Sequence, residues 1–384
     1  MLGAALALAA AAAALLLTAE AGERPGASVS LPEAKASPAG IGVAAVYTYG
    51  EALRLSLLDA EGQAFRADSL RLESQDGGTT LNIRFGTDLN QGLLLHQLPP
   101  GRYRLFYQGR ALLAAAGEQA EGYTLTRGGK NKHWRFLAKE GLLLLDVEEV
   151  EELPADVYDV YVDIGHGGAD TGALSAPSYG LVEAEENLRA GQYLAERLEA
   201  LGLKVLLSRE TMEIPGGRAA EQNPYLPGAR IDMCYRSQAK YVISNHLNAG
   251  GGHGFQLYSS VATDTAFAQA VADQLLAAGW VADDNGFDPL GDGLYKRRSD
   301  TYSSDVRDYY FIIRETGGYL LSPWQYRLQN REQDRLACHG AEALLVEYLF
   351  LDNYLDADTW IHNWQTLVDA VARGAADYWG LAEE

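Results

Sequence analysis

Between Ile41 and about Val150, apolar and polar residues alternate in short runs, as in Leu53-Arg-Leu-Ser-Leu, Leu81-Asn-Ile-Arg-Phe and Tyr103-Arg-Leu-Phe-Tyr. A period of two turns one side of each segment toward a core, so these runs predict half-buried strands. Turn signals at Asp76-Gly-Gly, Asp88-Leu-Asn and Pro99-Pro-Gly separate them. Many short strands at regular spacing predict a small all-β, sandwich-like domain over residues 41–150. His96 and His133 occur here singly and are expected to be surface or hydrogen-bonded side chains.

At Val157 the pattern changes. Val157-Tyr-Asp-Val-Tyr-Val-Asp, Leu203-Lys-Val-Leu-Leu, Tyr241-Val-Ile-Ser and Leu344-Leu-Val predict strands. Helical spacing places Leu188, Gly191, Ala195 and Leu198 on one face of a helix from Glu183 to about Leu201. Phe267, Val271 and Leu275 mark a second helix over Thr265 to Trp280, and Ile361, Trp364, Val368 and Val371 a last one from about Thr359 to Tyr378. Strands alternating with helices predict an α/β fold, a layered catalytic domain over 155–384 around a central mostly parallel or mixed sheet. Residues 281–308, with Asp-Asn-Gly, Gly-Asp-Gly and Lys296-Arg-Arg, read as a long polar loop.

Composition narrows the classes. The 384 residues suffice for two domains. With 31 Lys and Arg against 52 Asp and Glu, the formal charge of −21 argues against a nucleic-acid partner, since phosphate binding needs clustered cations. Leu2 to Leu17 are all Ala, Leu or Gly, and Ala19-Glu20-Ala21 has the small-x-small form of a cleavage site, so residues 1–21 are expected to be a signal peptide, without stable membrane insertion after cleavage. An exported location, extracellular, in the cell wall or in the periplasm, follows from that expectation. Residues 22–40, rich in Pro, Gly, Ser and Ala, read as a linker. Cys234 and Cys338 could form one bridge or remain two buried thiols, and no disulfide framework is available.

Candidate chemistry gathers after the strands of the second domain. His166 follows the first strand, Glu183 opens the next helix, and His246 ends the third strand in Ile243-Ser-Asn-His-Leu-Asn-Ala. Open α/β sheets bind ligands at the carboxyl ends of their strands. Two imidazoles and a carboxylate leave the fourth position of a tetrahedral zinc open, as in catalytic sites. Taken singly, each residue also has an ordinary role. A lone histidine is usually not a ligand, Glu183 could simply favour the helix dipole, and Glu185 and Glu186 compete with it.

From about Val157 onward the chain resembles the zinc-dependent N-acetylmuramoyl-L-alanine amidases of the family usually called amidase 3. Asp163-Ile-Gly-His-Gly-Gly resembles the family's Asp-Pro-Gly-His-Gly-Gly, with Ile164 for Pro. The family has a Glu four residues before Asn-Leu, and the resemblance of Asn187-Leu188 to that pair selects Glu183 over Glu185 and Glu186. Leu207-Ser-Arg209 resembles Leu-Thr-Arg, Arg230 stands where the family has an Arg, Ser244-Asn-His-Leu-Asn-Ala resembles Ser-x-His-x-Asn-Ala, and Gly254-Phe-Gln-Leu-Tyr resembles the strand after it. Leu344-Leu-Val-Glu-Tyr-Leu-Phe-Leu-Asp-Asn resembles Val-Leu-Val-Glu-x-Gly-Phe-x-x-Asn, with Leu349 for Gly.

The resemblance implies Zn2+ held by His166, Glu183 and His246, with Glu347 as catalytic acid/base and Asn248, Arg230 and Arg314 contacting substrate. It further implies cleavage of the amide between N-acetylmuramic acid and L-alanine, in peptidoglycan or muropeptides, by zinc-activated water. A catalytically weak zinc-containing wall-binding protein and a zinc peptidase acting on another amide are the alternatives. For Glu347 the alternative is a structural carboxylate paired with Arg314. His253, His339 and His362 match no ligand motif. Residues from about Tyr319 to Gly340 look inserted relative to the family pattern.

Overall fold

A computed structural model describes residues 40–114, 120–299, 307–318 and 339–381. The expected signal peptide, residues 22–39 of the expected linker, and Cys338 lie outside the described residues. Cys234 is buried.

The chain divides into two compact units. Unit 1 comprises residues up to Leu125, Lys130–Glu152 and Gly317–Gly340. Its strands begin with β1 (Gly40–Tyr49), β2 (Ala52–Leu58), β3 (Ala64–Arg66), β4 (Ser69–Ser74), β5 (Thr80–Arg84) and β6 (Leu93–Leu94). They continue with β7 (Gly101–Tyr107), β8 (Arg110–Leu113), β9 (Glu121–Tyr123), β10 (Asn131–Lys139) and β11 (Leu142–Val150). β1 bends at a register shift between Val43 and Ala45, pairing first with β8 and then with β2, so one strand serves two sheets. Leu53, Leu55, Leu72, Tyr103, Leu105, Trp134, Phe136 and Leu145 fill the core between them. The alternation of the sequence is realised as inward Leu53, Leu55 and Leu57.

Unit 2 comprises Thr126–Gly129, Leu153–Thr316 and residues from Ala341 on. Its strands are β12 (Val160–Ile164), β13 (Val205–Leu207), β14 (Tyr241–Asn248), β15 (Gln256–Ser259), β16 (Pro289–Gly291), β17 (Leu294–Tyr295) and β19 (Glu342–Phe350), while β18 (His339–Gly340) belongs to unit 1. The sheet order is β13-β12-β14-β19-β15-β17-β16. β13, β12, β14 and β19 are parallel, and β15 runs antiparallel to β19. The sheet is therefore mixed, within an α/β fold. β19 is buried along its whole length, as suits a central strand covered on both faces.

The helices are α1 (Glu183–Ala200), α2 (Arg218–Gln222), α3 (Arg230–Ser237), α4 (Ala266–Ala277), α5 (Phe311–Thr316) and α6 (Tyr354–Trp379). Alternation along the strands assigns the layers. Tyr161, Val242, Ala343 and Leu345 pack with Ile231 and Cys234 of α3 and Ile312 and Ile313 of α5. On the other face, Tyr348 meets Trp360 of α6, and Tyr241 meets Phe267 of α4 and Trp379 of α6.

Two elements depart from the sequence pattern for local reasons. α6 begins at Tyr354, earlier than the apolar periodicity suggests, because the Asn353 side chain accepts a hydrogen bond from Leu355 N and caps it. Part of the expected polar loop is sheet, since Leu294 and Tyr295 pair with Leu257 and Tyr258 and are both buried. The insertion leaves unit 2 after Thr316 and returns at Ala341. Its last two residues form β18, which pairs in parallel with Thr48 and Tyr49 of β1. His339 is hydrogen-bonded there to Thr48 Oγ1 at 2.7 Å.

Candidate active site

β12 ends at Ile164, and the chain turns through Gly165 into His166, whose φ of +59° is rare for a residue with a side chain. Gly165 is required by close approach: a Cβ there would lie 2.2 Å from Cε1 of His246. His166 Nδ1 lies 2.8 Å from Asp170 Oδ2, which orients the ring so that Nε2 stands 3.1 Å from Glu183 Oε1.

Glu183 is the first residue of α1 and is buried. Its Oε1 lies 3.0 Å from His246 Nδ1 and accepts from Leu247 N at 3.1 Å and from Asn187 Nδ2 at 3.3 Å. Oε2 accepts from Ala173 N at 2.7 Å. Burial disfavours a carboxylate charge, yet the hydrogen bonds from His166 and His246 hold Glu183 well below the usual range. Burial likewise opposes the His166 cation, but Glu183 and then Asp170 raise its pKa to about 9. Gly172 leaves room for this carboxylate, since a Cβ there would lie 2.4 Å from Oε2.

His246, near the end of β14, completes the group. The two imidazole rings stand 5.1 Å apart at 82°, and the ligand atoms of His166, Glu183 and His246 all lie within 4.8 Å of one another. Two imidazole nitrogens and a carboxylate oxygen converging in this way form a donor set for a divalent transition metal.

Glu347 lies on β19, in register with His246 on one side and Gln256 on the other. Its Oε2 is buried without a hydrogen-bond partner. Burial pushes its pKa up to about 7, and the Glu183 charge adds to the shift while the two imidazoles oppose it. A carboxyl group tuned near neutrality beside such a set of donor atoms is suited to accept and return a proton.

The remaining expected residues occupy defined places. Arg230, at the start of α3, makes a fork with buried Asp163, Nε to Oδ1 at 2.7 Å and Nη2 to Oδ2 at 2.5 Å. Ser244 Oγ donates to the same carboxylate at 2.7 Å, tying β12, β14 and α3 together below the cluster. Arg314 donates to Glu315 Oε1 and to the Asp308 carbonyl, both at 2.8 Å, so its partner is Glu315 and not Glu347. Asn248 donates to Gln256 Oε1 at 2.7 Å. Glu186 accepts from Trp360 Nε1 at 2.8 Å and not from either histidine of the cluster, and Glu185 is exposed. Sequence reasoning did not single out Asp170, Asn187 or Tyr258 as site residues. Asp170 had a local signal, four residues after His166 in the same glycine-rich turn, whereas Tyr258 reaches the site only through strand pairing.

A family model described as N-acetylmuramoyl-L-alanine amidase matches residues 160–376, more than half of the chain. The chain is 36% identical over 101 residues to the N-acetylmuramoyl-L-alanine amidase CwlM of Bacillus licheniformis, covering 26% of this chain and 35% of the relative. It is 29% identical over 118 residues to the protein YqiI of Bacillus subtilis, covering 30% and 51%. The chain thus spans about a third to a half of the length of these curated relatives. Among solved structures it is similar to Cwp6 from Clostridium difficile, at 22% identity and a TM-score of 0.41, covering 58% of this chain and 30% of that one. It is similar too to the amidase Ami1 from Mycobacterium smegmatis, at 21% identity and a TM-score of 0.40, covering 58% and 97%.

Proposed function

The chain belongs to the N-acetylmuramoyl-L-alanine amidase family, and from that premise we propose that it hydrolyses the amide joining N-acetylmuramic acid to the L-alanine of the peptidoglycan stem peptide. The observation that carries this reading is the convergence of His166, Glu183 and His246, with the buried, unpartnered Oε2 of Glu347 beside them. The donor set fits zinc, and His166, Glu183 and His246 would hold it. Zinc in such a site supplies Lewis acidity, lowering the pKa of a water toward about 7 and polarising the scissile carbonyl.

The protein's own residues do the rest. Asp170 fixes the His166 ring through Nδ1, and Asn187 and the Leu247 amide hold Glu183 Oε1 in place. Glu347 accepts the proton of the attacking water on its carboxylate. It then donates that proton to the departing alanine nitrogen, which would otherwise leave as an unstable anion. A pKa of about 7 lets one group serve in both directions near neutral pH.

Action on a wall polymer implies export, in keeping with the apolar run at residues 2–17. Among the described residues no helix is long and apolar enough to cross a membrane. The test is mass spectrometry of purified peptidoglycan after digestion. The expected products are stem peptides with a free L-alanine amine and glycans with a free muramoyl carboxylate. New termini within the stem peptide would identify a peptidase instead, and wall binding without new termini a non-catalytic protein.

A further inference from the structure

Resting on the amidase reading, we propose that Arg297 forms a subsite for a free carboxylate on the peptide side of the scissile amide. The segments 297–299 and 307–309 run antiparallel, with Tyr309 N bonded to the Arg297 carbonyl and Ser299 N to the Arg307 carbonyl, both at 2.8 Å. This ladder holds the Arg297 guanidinium 3.8 Å over the centre of the Tyr309 ring, which leaves its edge donors available. The Tyr309 ring stands edge-on to Tyr310 at 5.3 Å, and Tyr310 to Tyr258 at 4.7 Å, whose hydroxyl donates to Gln256 Oε1 at 2.8 Å. Gln256 is the register partner of Glu347, which places this chain of side chains at the flank of the catalytic carboxyl.

Four other cations of unit 2 are already engaged. Arg230 is held by Asp163 and Arg314 by Glu315, Lys296 donates to the Thr263 carbonyl, and Arg209 donates to the carbonyls of Gly165 and Ala184. Among the described residues no carboxylate pairs with Arg297, and its side chain is exposed. In a chain of net charge −21, an anionic substrate is repelled on average, so a local cation beside the reacting centre decides whether it docks. A guanidinium fixed on an aromatic face and offering a planar pair of N–H donors matches a carboxylate.

The test compares N-acetylmuramoyl-L-alanyl-D-glutamate with the same compound carrying both carboxylates as carboxamides. The zinc-loaded full chain is used, and kcat and KM are measured for each. The peptides L-alanyl-D-glutamate and its diamide are titrated in parallel for Kd. Wild type should prefer the carboxylate form by about tenfold, in KM and in Kd, as a half-solvated charge-assisted pair allows. Arg297→Ala should lose that preference, Arg297→Lys should keep part of it, and Arg298→Gln, which changes the net charge equally, should keep all of it. Equal binding of both peptides by wild type, or a preference that survives Arg297→Ala, overturns the subsite. If wild type cleaves neither compound the amidase reading fails, while the Kd values still decide the role of Arg297.

Discussion

Glu347 must carry a charge in a place where burial resists it, and its substitution separates chemistry from stability. In the metal-free protein its pKa is about 7 against 4.5 for an unburied carboxyl. As pH rises through 4.5 the unfolded chain releases this proton while the folded chain keeps it, so stability falls until the folded group ionises near 7. Above that pH the cost is complete. Glu347→Gln removes it, and its melting temperature in chelator should equal or exceed that of wild type, by a margin that grows between pH 4.5 and 7. Activity on muropeptides should fall by about 10²- to 10⁴-fold with zinc content unchanged. Near wild-type cleavage would take Glu347 out of the mechanism. His166 makes the complementary case. Its proton, held to about pH 9 by Glu183 and Asp170, must leave when a metal binds, so zinc affinity should climb with pH up to that value. Asp170→Ala should weaken zinc by about 10- to 100-fold, as loss of a ring-orienting carboxylate does, and Glu185→Ala should have no effect. Competition with a chelating dye across pH checks both.

Two connections between elements have testable consequences for the cluster. Asp163 is fully buried, and Arg230 neutralises it across β12 and α3. Arg230→Ala would leave a buried carboxylate with Ser244 as its remaining side-chain donor, a change that typically costs about 3–5 kcal/mol. Thermal or urea unfolding should show that loss, whereas a purely substrate-binding arginine would raise KM and spare the melting temperature. The insertion is the second case. Its ends meet, because a Cβ on Gly318 would lie 2.5 Å from the His339 carbonyl oxygen. Joining Gly318 to His339 through two or three glycines in place of residues 319–338 should therefore leave β19 in register and zinc binding intact. Loss of zinc in a folded deletion variant would show that the insertion supports the cluster.

For the whole molecule, the division into units affects where the chain can be cut. All the ligand and catalytic candidates lie in unit 2, so a chain beginning near Ala155 should cleave small soluble muropeptides. Unit 2 also contains Thr126–Gly129, from within the strand-rich region. Thr126 donates from N at 2.8 Å and from Oγ1 at 2.7 Å to Asp159, a carboxylate with no exposed surface. Truncation removes both donors and leaves the Lys204 amide at 2.8 Å. The shortened chain should therefore be less stable, by about 1–3 kcal/mol for a buried polar group stripped of partners. Activity retained below the lowered melting temperature would support independence of the chemistry from unit 1. A truncated chain that folds and binds zinc yet is inert on small muropeptides would show that unit 1 helps build the site.

Local pattern was enough for most of the strands and long helices, while the His166, Glu183 and His246 set needed the family resemblance as well. Alternation with a period of two marked the strands of unit 1, helical spacing marked α1, α4 and α6, a glycine-flanked histidine after a strand marked His166, and a histidine near a strand end marked His246. These signals are legible because each depends on residues within a few positions of one another. Glu183 was less secure, since Glu185 and Glu186 share its helix end and only the family resemblance, with a Glu four residues before Asn-Leu, favoured it; burial and five hydrogen-bonding neighbours separate it in space. The partners of Arg230 and Arg314, the place of β18 beside β1, and the line from Glu347 through Tyr258 and Tyr310 to Arg297 were decided by tertiary structure. Such choices rest on which strands lie side by side and which charges are buried together, and no short stretch of sequence records that.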